Sequence, residues 1–160
     1  MMNRRDWLKA AGAAGVDAAM PAALHGAETP TMGGNAVVKT ELKRLVLRHT
    51  WTTTMSSSAY RDTVHVQYER DGITGFGEGA PIVRFKEYPE QARQAIDAIA
   101  GQIGAGDPKK FDKFLADVRR SLGDGQHAAL AAVDIAVCAW LGKKLGIPLD
   151  QYFGLDPADA

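Results

Sequence analysis

The chain has 160 residues, 46% of them hydrophobic, with 19 basic side chains balanced by 19 acidic ones, which suits one small globular domain. A net charge of +0 leaves no basic footprint for nucleic acid, and no apolar run reaches the roughly 18 residues of a membrane-spanning helix. Cys138 is the single cysteine, so neither an internal disulfide nor a cysteine metal cluster can form; on an apolar helix face it is expected to be a small core residue.

Residues 1–27 read as an export signal of the twin-arginine type. Arg4-Arg5 are followed by Trp7, Leu8 and Lys9, then by a weakly apolar stretch from Ala10 to Leu24 and a small-residue end at His25-Gly26-Ala27. The resemblance to that motif implies export to the periplasm in an already folded state. Asp17 interrupts the apolar stretch, and an amphipathic N-terminal helix is the alternative. Residues 28–38 follow as a linker, in which Pro30 and Gly33-Gly34 exclude regular structure.

Val38 to Thr50 carries Leu42, Leu45, Val46 and Leu47 among charges and predicts a first strand. Thr50 to Ser58, rich in Thr and Ser, predicts a polar loop. In the next strand Val64, Val66 and Tyr68 alternate with Thr63, His65, Gln67 and Glu69, the period of a half-buried strand. Asp71-Gly72 predicts a hairpin turn of type I′, whose central residues both need positive φ. The chain returns through Ile73 and leaves the sheet at Pro81. Such a three-stranded antiparallel meander buries one face only and needs a cover.

The second half supplies it. Pro89 suits a first helical turn, and Ala92, Ile96, Ile99 and Ile103 recur at helical spacing up to Gly104. Asp107-Pro108 predicts the start of a second helix, as N-cap and first residue, with the stripe Phe111, Phe114, Leu115, Val118 and Leu122 and an end at Gly123. A third helix runs from about Gln126 to Leu145, with Leu130, Val133, Val137 and Leu141 on one face. Its alanines permit close approach, and Lys143 and Lys144 suit its negative end. Gly146 stops it, and Pro148 opens a short turn from Leu149 to Phe153. Sheet first and three-helix bundle second is an α+β layout.

Gly75-Phe76-Gly77-Glu78-Gly79-Ala80 formally matches the dinucleotide pattern G-x-G-x-x-A. That pattern must open a helix, whereas Pro81 follows a hairpin strand here; the glycines are expected to permit close backbone approach. Glu78 has no second acid or base at a pairing distance, and a hydrogen-bonding role is expected. His25, His49, His65 and His127 show no zinc-ligand spacing, and Ser56-Ser57-Ser58 has no nucleophile elbow. Asp134 interrupts a helical stripe and is expected to hold a hydrogen bond. Arg84, beside Phe85, either grips a carboxylate or is a solvated loop residue.

The three strands, GFGEGAP, and helices ending AALAAVDIAVCAWLGKKLGIPLDQYFGLDP resemble the N-terminal capping domain of the enolase superfamily, in its muconate-lactonizing and mandelate-racemase branch. Trp51-Thr52-Thr53-Thr54 with Gly77-Glu78-Gly79-Ala80-Pro81 is similar to dipeptide epimerases of the L-Ala-D/L-Glu group. The cap would occupy residues 39–157; its specific part is Ala132-Val133-Asp134-Ile135-Ala136 through Gly142-Lys143-Lys144-Leu145-Gly146-Ile147-Pro148-Leu149.

The resemblance implies a partner (β/α) barrel. There, Mg²⁺ sits on acidic residues and a pair of lysines removes and returns the proton α to the carboxylate of a dipeptide. It also implies that the loops Trp51–Tyr60 and Gly79–Phe85 shape the pocket, making Trp51, Thr53, Thr54, Met55, Ser56, Arg84 and Phe85 the specificity candidates. No catalytic residue and no metal ligand is expected in this chain; Lys143 and Lys144 are not the family's lysine pair. A barrel needs about 200 residues, so residues 158–160 are expected to be its truncated start and the whole an inactive capping fragment of a Mg²⁺-dependent isomerase. The alternatives are a cap-only binding or regulatory module, or the cap of another racemase or cycloisomerase. A cap without its barrel would expose apolar surface and self-associate. Ala139 stands where members of that family often have an aspartate, and Cys138 where a large apolar residue is common. No basic residue lies between Trp51 and Tyr60, where some members hold the dipeptide carboxylate, which points to a more apolar dipeptide.

Overall fold

The computed structural model describes residues 34–54 and 57–155. The export signal, residues 28–33 of the expected linker, Met55, Ser56 and the expected start of a barrel lie outside the described residues.

Strands β1 (Val37–Thr52), β2 (Ser57–Arg70) and β3 (Ile73–Gly79) form one antiparallel sheet in the order β1-β2-β3. Asp71 and Gly72 join β2 to β3 with φ of 53° and 71°, the positive pair a type I′ turn requires. Across the sheet Leu42, Val64 and Gly79 align, as do Thr40, Val66 and Gly77, and Val38, Tyr68 and Gly75. This row of partners is the covered face: Val64, Val66 and Tyr68 are almost wholly buried. The opposite face carries Glu41, His65 and Glu78 in one row. Thr63, expected on the solvent side, is nevertheless only 1% exposed, with its hydroxyl 3.0 Å from His65 Nε2.

A 3₁₀ turn (Val83–Phe85) leads into helices α1 (Pro89–Ala105), α2 (Phe111–Leu122), α3 (His127–Leu145) and the short α4 (Leu149–Tyr152). Ile96, Ile103, Phe114, Val118, Val133, Val137 and Trp140 join the strand valines in one core. Trp140 packs edge-on against Tyr68 at 5.9 Å and donates its indole N–H to Arg70 O at 2.9 Å. Among the described residues no buried side-chain nitrogen or oxygen lacks a partner. None of the described helices is long and apolar enough to cross a membrane.

The glycine strand packs directly on α3. A Cβ on Gly75, Gly77 or Gly79 would stand 2.0 Å from the carbonyl oxygen of Ala136, Ala132 or Ala128 respectively. Steps of two along the strand match steps of four along the helix because both advance about 6–7 Å. The sheet and helix backbones therefore touch along three successive levels, which only glycine facing alanine permits. The dinucleotide reading is excluded by the same contacts, since these glycines face a helix wall.

Two boundaries depart from the sequence reading. The second helix begins at Phe111 rather than at Asp107-Pro108, because Asp107 closes a turn on itself. Its carboxylate accepts Lys109 N and its carbonyl accepts Lys110 N, both at 3.1 Å, a local bond that competes with helix initiation. The polar loop is also shorter than Thr50–Ser58: after an irregularity between Val46 and Trp51, Trp51 pairs with Ser58 and Thr52 with Ser57. Thr52 and Ser57 hydroxyls lie 3.0 Å apart. Threonine and tryptophan favour extended pairing, and polarity there reflects a ribbon wetted on both faces.

Candidate functional site

β3 reaches only as far as Val64 on β2, so residues 57–63 pair with β1 alone and the hairpin continues as a two-stranded arm. At about 3.3 Å per residue the arm extends roughly 20 Å past the sheet. Arg44 braces it, donating from Nε and Nη2 to the two Asp62 carboxylate oxygens at 2.7 Å each and lying 4.1 Å over the Tyr60 ring. The Arg44 hydrogen bond holds the Asp62 carboxyl below the usual range, and Asp62 in turn raises Arg44.

Opposite the arm lies the exit from β3. Pro81 cannot donate to a ladder, and the chain folds into the 3₁₀ turn, with Phe85 N donating to Ile82 O and Lys86 N to Val83 O at 2.8 Å each. Lys86 closes the turn at φ 61°. Glu87 then buries its carboxylate, 7% exposed, where it accepts His127 N at 2.6 Å and Ala128 N at 3.4 Å. Those amides open α3 and have no partner within it, and a negative charge suits that end. The sequence reading missed Glu87: it lies 40 residues from its partner, beyond any capping-box spacing.

Between arm and turn lies a cleft of about 650 Å³, formed by Trp51, Thr53, Thr54, Ser58, Tyr60, Arg61 and Asp62 on one side and Pro81 to Arg84 with Pro89 on the other. Of the sequence candidates, Trp51, Thr53, Thr54 and Arg84 meet here. Phe85, 63% exposed, does not line the cleft; Met55 and Ser56 are outside the described residues. Tyr60, Arg61, Asp62, Ile82 and Val83 join the lining without having been singled out. Tyr60 and Asp62 could have been found from strand alternation, had the second strand been extended back to Ser57.

The remaining chemical candidates lie elsewhere. Glu78 is exposed on the far face, 4.0 Å from His65 Nε2. Asp134 accepts the Cys138 thiol at 3.4 Å; burial first, then Asp134, pushes that thiol up to about 12, so it is a packed and unreactive group. Lys143 donates to Thr74 O at 2.7 Å and Lys144 pairs with Asp71 at 3.1 Å, fastening the end of α3 to the hairpin. Among the described residues no three His, Cys, Asp or Glu side chains converge to hold a cation. The cleft offers hydroxyls, the aromatic rings of Trp51 and Tyr60, two guanidinium groups, the Asp62 carboxylate and the apolar side chains of Ile82 and Val83.

A three-stranded meander with helices on one face and a loop-lined cleft at its end defines a capping domain of the enolase type. The chain belongs to the mandelate racemase / muconate lactonizing enzyme family, whose N-terminal domain matches residues 36–154. It is 31% identical, over 98% of its length, to an L-Ala-D/L-Glu epimerase of Bacteroides thetaiotaomicron, of which it covers 43%. An L-Ala-D/L-amino acid epimerase of Pedosphaera parvula is 34% identical over 69% of this chain and 32% of that protein. The dipeptide epimerase of Enterococcus faecalis, solved with Mg and the dipeptide L-Leu-L-Tyr, superposes with a TM-score of 0.69 at 27% identity, covering 76% of this chain and 35% of that one. The chain thus spans less than half the length of these relatives.

Proposed function

We propose that this chain is the capping part of a Mg²⁺-dependent dipeptide epimerase, and that its cleft receives the side chains of the dipeptide. The observation that carries this reading is the convergence of two loops, far apart in sequence, on one cleft lined by Trp51, Thr53, Thr54 and Arg84. The epimerase relatives support the reaction class. Proton removal and return α to the carboxylate would fall to the part of those enzymes that this chain does not span. Trp51, Val83 and Phe85, each more than 60% exposed, would be covered by that part.

A chimera tests this. Residues 34–155 of this chain replace the cap of the E. faecalis enzyme, and deuterium uptake at the dipeptide α-carbon is followed in D₂O. The expected result is uptake with a changed order of preferred dipeptides, while the 160-residue chain alone with Mg²⁺ and L-Ala-L-Glu gives none. A folded chimera inert toward every dipeptide, or turnover by the chain alone, would refute the reading. Residues 1–27 are proposed to direct twin-arginine export to the periplasm. Fused to a folded reporter they should carry it there, and replacing Arg4 and Arg5 by lysine should retain it in the cytoplasm; export that survives the replacement rejects the route.

A further inference from the structure

We propose that Glu87 is a positioning residue for the dipeptide: its carboxylate holds the 3₁₀ turn in place opposite the arm, and the grip of the cleft depends on that hold. The inference rests on reading the cleft as the dipeptide pocket. Gln126, the residue before α3, makes no side-chain capping bond. The helix takes its cap instead from Glu87, which directly follows the turn that lines the cleft. Capping by a Ser, Thr, Asp or Asn at position 126 would have served the helix equally well. Drawing the cap from the turn does a second thing, which a local cap would not: it ties the cleft to the helix.

Both ends of the turn segment stand on the same residue of α3. At one end Gly79 lies so close that a Cβ there would be 2.0 Å from Ala128 O. At the other, Glu87 accepts Ala128 N at 3.4 Å, beside its shorter bond to His127 N. Glu87 also reaches back along the chain, its own N–H donating at 3.4 Å to the carbonyl of Ile82, which lines the cleft with Val83 and Arg84. Residues 80–86 are therefore a short loop with two feet on the first turn of α3, and one side chain can release the second foot. Without that carboxylate the loop keeps the bonds from Phe85 N to Ile82 O and from Lys86 N to Val83 O, but it pivots about Gly79. A site that spends only part of its time in the binding geometry loses affinity in proportion.

The test titrates L-Ala-L-Glu into the isotope-labelled full chain, at a temperature where each variant is folded, and follows the Trp51 indole and the Val83 amide by NMR. Glu87→Ala should weaken binding about tenfold, and Glu87→Gln, which keeps an acceptor without its charge, about threefold. Glu87→Gln carries the test alone if the alanine variant does not fold. Val137→Ala, a change in the core away from the cleft, lowers stability without touching the turn and should bind as wild type does. Wild-type affinity in Glu87→Gln, or an equal loss in Val137→Ala, overturns the assignment while leaving the cleft as the pocket. If L-Ala-L-Glu moves no cleft resonance of the wild-type chain, the reading of the cleft falls and the assignment with it.

Discussion

Glu87 is a single carboxylate serving two ends of the structure. It satisfies the opening amides of α3 and, one residue past Lys86, ties down the turn that carries Arg84. Glu87→Ala should cost about 2 kcal/mol, since it removes a charge-assisted bond and leaves buried amides unpaired; a urea-unfolding midpoint equal to wild type would reject that role. Cys138 makes the opposite prediction, of silence. With its titration pushed up from 9.0 to about 12, it should resist a thiol reagent in the native state and react fully once unfolded. Because the folded value is the raised one, its contribution to stability is complete below pH 9.0 and is lost as the pH climbs toward about 12. Rapid native labelling at neutral pH would contradict this burial.

At the scale of elements, β3 and α3 meet backbone to backbone at Gly75, Gly77 and Gly79. Gly77→Ala would place a methyl 2.0 Å from Ala132 O and 2.6 Å from Ala136 N, and neither backbone atom can move without shifting the helix. A loss of at least about 3 kcal/mol is expected, read from chemical denaturation; a neutral variant would mean that helix and strand separate easily. Arg44 and Asp62 pair at the base of the arm. Asp62 titrates below the usual range because of Arg44, so the pairing is complete above the ordinary carboxylate value of about 3.9 and disappears as pH falls through the lower folded value. Arg44→Gln should return the Asp62 titration followed by NMR to the ordinary range. If the titration stays low in that variant, another group holds the arm.

The sequence made visible those elements whose cause is local. Valine alternation, the Asp-Gly turn and the helical stripes each act within a few residues and appear where expected. What stayed hidden depends on distant partners or on rival local bonds. Asp107-Pro108 has the composition of a helix start but folds its carboxylate back on Lys109. Glu87 caps a helix through space, and the Thr-rich stretch looks like a loop because, among the described residues, β3 stops short of it. For the site, Trp51, Thr53, Thr54 and Arg84 were legible as members of flanking loops. Arg61 was not, since its place in the cleft follows from the ladder continuing to Ser57.

On the scale of the whole molecule, the core and the cleft draw on separate residues. The core residues run from Val64 to Leu141 on the covered side of the sheet, whereas Val83 and Thr54 line the cleft from exposed positions. Val83→Ser and Thr54→Ala should therefore leave the unfolding free energy within about 0.5 kcal/mol of wild type while altering which dipeptides the chimera accepts. A large loss of stability from either would show that cleft and core are coupled.

The cleft has two unlike jaws. One is a turn bolted to the helix through Glu87; the other is the two-stranded ribbon of β1 and β2, with the Arg44–Asp62 ion pair at its base. On the proposed reading, a substitution on either jaw changes which dipeptide fits while the core beneath keeps its packing.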